Sequence, residues 1–254
     1  MKIVLIGAGN VATHLAQALK SRGEELLQIY SQDLNHAKFL ADGIPCEPVN
    51  DWKLLKTNAD LYIIAVKDDA IESIADQLKT VNGLVVHTSG TTDIQVLSSK
   101  VKHPGVLYPL QTFSKSKAIS FEDIPLCIEA ANEADLSILQ SLASKLSQKV
   151  YHLGGYQRKV LHLSAVFACN FTNHLYALAH QLLQVNHLDF EIIRPLIKET
   201  ADKVMMNLPE NVQTGPAVRV DETTLNKHLS MLNHMPELQH IYQTLSDSIK
   251  LMHK

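Results

Sequence analysis

The chain has no run of about 18 apolar residues, so no stretch of it is suited to cross a bilayer as a helix. The N-terminal apolar stretch from Ile3 to Ala8 is too short for the hydrophobic region of a secretory signal, which points to a cytoplasmic protein with no membrane partner. Cysteine is scarce. Cys46, Cys127 and Cys169 stand far apart with no CxxC spacing, which argues against redox or metal roles and leaves them to be read as small buried hydrophobes. Neither sign of charge dominates: 23 Lys+Arg face 26 Asp+Glu for a formal net charge of -3, so no global positive field draws nucleic acid. Thirteen histidines include no HExxH or facial His/Asp grouping. His228, His234 and His240 recur every six residues, which on a continuous helix scatters them to three faces about 120° apart, so no metal site is expected.

What is present suits one large domain or two smaller ones: 254 residues, 46% of them hydrophobic and 19% charged, enough for a sizeable core. Up to about residue 153, short β-branched runs at 2–7, 26–31, 61–67, 84–88, 105–110, 124–130 and 149–153 alternate with segments of helical spacing such as 11–21, 70–79 and 135–147. Strand and helix in alternation build a mainly parallel sheet covered by helices. Gly154-Gly155 then punctuates the chain, and no convincing strand follows. A helical run without Gly or Pro extends over 156–185, roughly 45 Å at 1.5 Å per residue. Further helices are expected at 190–206, 222–232 and 236–252, with a loop at 207–220 that contains Pro209, Gly215 and Pro216. The expectation is an α/β domain over 1–153 followed by an all-α domain over 154–254.

Gly7-Ala8-Gly9-Asn10-Val11-Ala12 follows the apolar run Ile3-Val4-Leu5-Ile6 and opens an amphipathic helix, the context a dinucleotide-binding Rossmann fingerprint requires. Gly7 permits the tight turn, Gly9 lets the backbone approach a pyrophosphate, and Ala12 takes the third position, where helix and strand pack closely. The N–H groups of the helix N-terminus at Asn10 and Val11, with the positive end of its dipole, then face the phosphates. The second strand ends in Tyr30-Ser31-Gln32, with no carboxylate to accept from the ribose 2′-OH of NAD. A hydroxyl and an amide able to donate to phosphate oxygens favour NADP. Asp33, two residues after Ser31, keeps NAD open if the strand runs longer.

Residues 1–12, 29–32 and Ala59-Asp60-Leu61-Tyr62-Ile63-Ile64-Ala65-Val66-Lys67 resemble the matching segments of pyrroline-5-carboxylate reductases and the wider 6-phosphogluconate and 3-hydroxyacid dehydrogenase superfamily. The resemblance implies that Ala65, Val66 and Lys67 lie against the nicotinamide riboside. A closer resemblance is to bacterial Rossmann-like NADP oxidoreductases whose C-terminal helical part is domain of unknown function 2520. It rests on His87-Thr88-Ser89-Gly90, Tyr108-Pro109-Leu110-Gln111-Thr112-Phe113, residues 159–170, Thr214-Gly215-Pro216-Ala217-Val218-Arg219-Val220-Asp221 and His228-Leu229. Hydroxyacid-type members of the superfamily carry a catalytic Lys four residues before an Asn on the long helix. Here the residue four before Asn170 is Val166.

His87-Thr88-Ser89-Gly90 closes a predicted strand at the carboxyl edge of the sheet, where open α/β folds bind ligands. Either Thr88 or Ser89 caps the next helix, or Ser89 and nearby amides hold a substrate beside the nicotinamide. On the long helix, 100° spacing from Lys159 gathers Lys159, His162, Asn170, Asn173, His174, His180 and Gln181 within roughly 60° of one line, the rest being largely apolar. This stripe is either a solvated edge or a set of site residues in which Lys159, His162 and Asn170 face the substrate and His162 handles the proton. Arg219 either clamps an anion or pairs with Asp221. The function expected is NADP-dependent hydride transfer with a small carbonyl, imine or hydroxy compound. A catalytically silent NAD(P)-binding sensor is the alternative, since fold alone does not imply turnover. A helix of about 45 Å with so wide an apolar face exceeds the cover three shorter helices offer, which predicts a homodimer through the C-terminal helices.

Overall fold

The computed structural model describes residues 1–115 and 117–253. Eight strands form one sheet: β1 (Lys2–Ile6), β2 (Glu25–Tyr30), β3 (Glu47–Val49), β4 (Leu61–Ile64), β5 (Leu84–His87), β6 (Pro104–Pro109), β7 (Leu126–Ala130) and β8 (Val150–His152). Their spatial order is β3-β2-β1-β4-β5-β6-β7-β8. All neighbours run parallel except β6 and β7, which are antiparallel. The chain leaves β1 toward β2 and β3, then returns to the other side of β1 with β4. The switch point of this Rossmann-like sheet therefore lies between β1 and β4, and in open α/β sheets ligands bind above the carboxyl ends at such a point.

Helices cover both faces, which is why the central strands read as unbroken apolar runs rather than alternating ones. Ile3, Leu5, Leu61 and Ile63 point to one side, into a core with Leu15, Leu19, Ala37, Leu40, Leu139 and Leu142. These come from α1 (Asn10–Ser21), α2 (Leu34–Ala41) and α5 (Glu133–Leu146). Val4, Ile6, Tyr62, Ile64 and Val85 point to the other, against Ile71, Ile74, Ala75 and Leu97 of α3 (Ile71–Gln77) and α4 (Gln95–Ser98).

Seven of the eight strands fall on the expected runs. The sequence reading passed over β3, which is the three residues Glu47, Pro48 and Val49 at the sheet edge, where a proline is tolerated because its missing N–H faces no partner. It also passed over α2, whose N-cap is Asp33.

Helical backbone follows β8 as α6 (Gly155–Ala165), a π turn over Val166–Phe171, and α7 (Thr172–Val185). The chain divides into two compact units at Asn170/Phe171, later than the 153/154 boundary expected from the sequence. The reason lies in α6, the first half of the long helix. Leu161 packs with Leu153 against Val106, Tyr108 and Cys127, and Arg158 pairs with Glu129 of β7. That half belongs to the sheet.

The unit from Phe171 contains α7, a 3-10 turn at Phe190–Ile192, α8 (Arg194–Met206), α9 (Pro209–Val212), α10 (Glu222–Met231) and α11 (Pro236–Met252). Asp221 caps α10 by accepting from the Thr224 N–H at 3.0 Å. His228 Nδ1 and the Tyr242 hydroxyl lie 2.7 Å apart, tying α10 to α11. The only apolar side chains buried in this unit, among those described, are Ala217, Leu225 and Leu232. No helix among the described residues is long and apolar enough to cross a membrane.

Candidate active site

Gly7 sits at φ +121°, and a Cβ there would fall 2.1 Å from the Ala65 carbonyl oxygen at the end of β4. Only glycine fits, because the turn combines a left-handed backbone with close approach to the neighbouring strand. Gly9 is different. A Cβ added there meets nothing within 4 Å, so the space above the turn is open. Gly9 is also the N-cap of α1, which has no side-chain cap and no acidic residue in its first turn. Its leading N–H groups are thus free for an anion, while Ala12 is wholly buried. This cradle fits a dinucleotide pyrophosphate.

Along the same edge, Ser31 is half-buried and its N–H is spent on Val49 O, while Gln32 is exposed. The Asp33 carboxylate accepts from the Asn35 N–H at 2.8 Å as the cap of α2. Ala65 is buried, Val66 is half-buried and Lys67 is exposed after β4. The Asn10 amide donates to Phe113 O at 3.0 Å, leaving only its backbone N–H for a phosphate.

Ser89 takes the cap-like part of the two roles its position allows. Its hydroxyl donates to Asp68 Oδ2 at 2.7 Å and accepts from the N–H groups of Thr91 and Thr92 at 3.1 and 2.9 Å. One donor and two lone pairs are thereby all engaged. Ser89 shapes the turn after β5. Lys159 is likewise engaged, 3.2 Å from Asp93 Oδ2.

A second cluster of polar side chains lies at the end of β6. Tyr108 Oη and His162 Nδ1 are 3.0 Å apart. They line a cavity of about 410 Å³ with Leu110, Gln111, Thr112, Leu161, Ser164, Ala165, Val166, Ala168, Cys169 and Asn170. His162 and Asn170 are therefore brought together, and Lys159 is not among the lining residues. The π turn contributes to this. In an uninterrupted α-helix residues eight apart differ by about 80° around the axis, and a wider turn takes up part of that difference. The same turn breaks the 100° register on which the stripe through Asn173, His174, His180 and Gln181 was drawn. It also places Cys169 in the exposed cavity wall. Of the cysteines only Cys127 is fully buried, so the buried-hydrophobe reading fails for Cys169 and holds only partly for Cys46.

Gly90 lies directly under the pair. A Cβ there would approach His162 Nδ1 to 2.7 Å and Tyr108 Cζ to 2.8 Å. Burial pushes the Tyr108 hydroxyl up to about 12, with the Cys127 and Asp68 charges adding to the shift and Arg158 opposing it. The phenol accordingly keeps its proton across the neutral range.

Arg158, one turn before His162, is fully buried. Its Nη1 donates to Glu129 Oε2 and its Nη2 to Thr92 O at 2.6 Å. His87 is buried beneath the site, with Nδ1 accepting from the Ser89 N–H at 3.2 Å. Burial, reinforced by the Arg158 guanidinium, lowers its pKa to about 4, so the ring is neutral with its proton on Nε2. That Nε2 and Arg158 Nε are the buried side-chain atoms without a hydrogen-bond partner among the described residues.

The sequence reading missed Tyr108, Arg158 and Gly90 as site residues. The first and last lie inside the quoted motifs, and Arg158 abuts one, but nothing in their spacing announces a contact across 54 residues. A broader open depression of about 890 Å³, among Asn58, Asp60, Asn82, His103, Asp135 and Lys145, lies away from the glycine turn. No group of three or more potential metal ligands occurs among the described residues.

Residues 2–89 match the family model described as NADP oxidoreductase coenzyme F420-dependent, and residues 124–249 match the domain of unknown function DUF2520. A Bacteroides fragilis protein described as a "putative NADP oxidoreductase" is 44% identical, with 98% of this chain and 97% of that one covered at a TM-score of 0.91. The 1-pyrroline-5-carboxylate reductase of Streptococcus pyogenes is 14% identical (98% and 98% covered, TM-score 0.66). An imine reductase of Myxococcus stipitatus, solved in complex with NADP+, is also 14% identical (98% and 92% covered, TM-score 0.66). These two share the fold. No curated protein matches the chain.

Proposed function

Because the chain belongs to the family of NADP oxidoreductases that join this dinucleotide-binding domain to a DUF2520 portion, we propose that it reduces a small carbonyl or imine, or oxidises the corresponding hydroxy compound or amine, in the cavity beside Tyr108 and His162. The observation that carries the reading is the 3.0 Å contact between Tyr108 Oη and His162 Nδ1, at the carboxyl edge that also holds the glycine turn. NADPH, when bound, supplies the hydride. The Tyr108 hydroxyl, protonated through the neutral range, holds His162 by Nδ1 and leaves Nε2 for the substrate. In reduction the imidazolium of His162 gives its Nε2 proton to the substrate oxygen or nitrogen as the carbon accepts hydride and is left a neutral imidazole; in the reverse direction the neutral ring takes that proton back. Asn170, on the same cavity wall, supplies an amide to orient the substrate.

The test is NADPH consumption against a panel of ketones, aldehydes and cyclic imines. With the substrate found, His162→Asn lowers turnover by about 10²–10⁴, the range for a general acid, with NADPH affinity retained. Wild-type turnover in that variant would refute the proton role. NADPH binding without turnover of any compound in the panel would instead favour a nucleotide sensor.

The protein is further proposed to be a cytoplasmic homodimer, its free thiols suiting a reducing compartment. Leu188, Ile192, Leu196, Met205 and Met206 are each more than half exposed in the C-terminal unit, which supports a twofold contact that covers them. Light scattering then gives about twice 28.2 kDa, and a monomer at high concentration overturns the assembly.

A further inference from the structure

We infer that Lys115 is a ligand for the cofactor's pyrophosphate, delivered to the glycine turn by the segment that follows β6. This rests on the dinucleotide reading of the turn and adds a residue that neither the fingerprint nor the spacing of the sequence motifs indicates. The backbone after β6 is fastened to the first two turns of α1. Asn10 Nδ2 donates to Phe113 O at 3.0 Å, and His14 Nε2 lies 2.9 Å from Ser114 O. The Phe113 ring packs against His14 at 5.2 Å and stacks with Phe121 at 5.8 Å between centroids. His14 is only 4% exposed, so this attachment is built into the packed face of α1 rather than laid on its surface.

Fastened in this way, the segment brings the Lys115 ammonium to 3.0 Å from the carbonyl oxygen of Ala8, the residue between Gly7 and Gly9. That is the place where the turn opens above Gly9 and the uncapped N-terminus of α1 begins. The Lys115 side chain is exposed, α1 has no acid in its first turn, and no carboxylate pairs with the ammonium among the described residues. A neutral carbonyl is a modest partner for an ammonium, and a phosphate oxygen is a stronger one. The three donors of the ammonium can keep Ala8 O and still reach a phosphate. Lys115 thereby adds a formal positive charge where the fingerprint itself offers only backbone N–H groups and a helix dipole.

The test uses the full chain, with NADPH and NADH titrated by nucleotide fluorescence. Both carry the pyrophosphate and only NADPH carries the 2′-phosphate. Lys115→Gln weakens both by about tenfold, the lower end for a hydrogen bond to a charged group at an exposed position, and leaves their ratio unchanged. Lys115→Arg keeps both within a few fold of wild type. Unchanged NADPH affinity in Lys115→Gln overturns the inference, as does loss confined to NADPH, which would put the ammonium on the ribose phosphate. Equal loss in Lys115→Gln and Lys115→Arg overturns it as well, since the lysine would then only shape the turn. A wild-type protein that binds neither nucleotide removes the cofactor reading itself, which separates that failure from failure at Lys115.

Discussion

Replacing Arg158 by Met keeps an unbranched side chain in place and deletes the guanidinium. Arg158 has no solvent exposure, and its two terminal nitrogens hold Glu129 of β7 and the Thr92 carbonyl, so α6, β7 and the segment after Ser89 meet on one charge. Breaking a buried ion pair by removing one partner costs about 3–5 kcal/mol, because the remaining charge is left without compensation. The Glu129 side chain keeps 19% of its exposure and can be partly rehydrated, which puts the cost near the lower end, about 3 kcal/mol. At roughly 2–4 °C per kcal/mol for a protein of this size, the melting temperature falls by about 6–12 °C. Thermal and urea unfolding of Arg158→Met, Glu129→Gln and the double variant measure both the loss and the coupling. The double variant should be less destabilised than the two losses added together. A shift below about 2 °C, or strict additivity, would refute the claim that this pair is desolvated and shared. Since His162 lies one turn beyond Arg158, Arg158→Met should also lower turnover while NADPH affinity stays near wild type.

Gly90→Ala drives a methyl into the Tyr108–His162 contact, where distances of 2.7 and 2.8 Å force one ring to move; overpacking of this kind costs about 1–3 kcal/mol. Turnover should fall well beyond what that destabilisation explains, and unaltered kcat would show that the 3.0 Å contact has no part in the reaction. Gly7 and Gly9 should separate stability from binding. Gly7→Ala meets both a positive φ and the Ala65 carbonyl, and is expected to unfold or lose about 3 kcal/mol or more by urea titration. Gly9→Asp enters open space and should fold normally while abolishing calorimetric binding of NADPH, and the reverse pattern would invert the assignment. His87 predicts a pH dependence: its folded pKa of about 4 lies below the ordinary 6.5, so the unfolded chain binds the extra proton first. Stability is therefore full above about pH 6.5 and declines toward pH 4, by up to about 3 kcal/mol in urea titrations. His87→Asn should remove that part of the slope, and an identical slope would place the titrating group elsewhere.

The sheet was legible because its strands are buried on both faces. Ile3-Val4-Leu5-Ile6 and Leu61-Tyr62-Ile63-Ile64 have no polar side to hide, so an apolar run bounded by turns admits few other readings. The glycine turn was legible for a related reason: Gly7 answers a local steric demand, set by its own φ and by a strand end that the parallel order brings beside it. Ser89 shows where such reasoning stops. A serine after a strand suits either a cap or a substrate contact, and the choice depends on Asp68, 21 residues earlier, whose carboxylate engages the hydroxyl proton. Arg158 was hidden for the opposite reason. A lone arginine on a helix reads as solvated, and only Glu129 and Thr92, from two other segments, make its burial tolerable.

The long helix carries the lesson furthest. A 3.6-residue period assumes that every residue advances the same angle, and the assumption holds from Gly155 to Ala165. Beyond it the backbone widens over Val166–Phe171, and no proline or glycine in that stretch marks the place. A widened turn forgoes regular i→i−4 hydrogen bonds and persists only where its surroundings favour it, which is why such turns are frequent at functional sites. Here it falls in the wall of the cavity and presents Ala168, Cys169 and Asn170 to the space that His162 and Tyr108 also border. Phe167, on the same turn, stays 62% exposed, although an α-helical reading assigned it to the apolar face. This wall of the cavity is thus set by a departure from helical periodicity. A periodic reading of the sequence could select His162, which lies before the departure, but had no secure basis for any position after it.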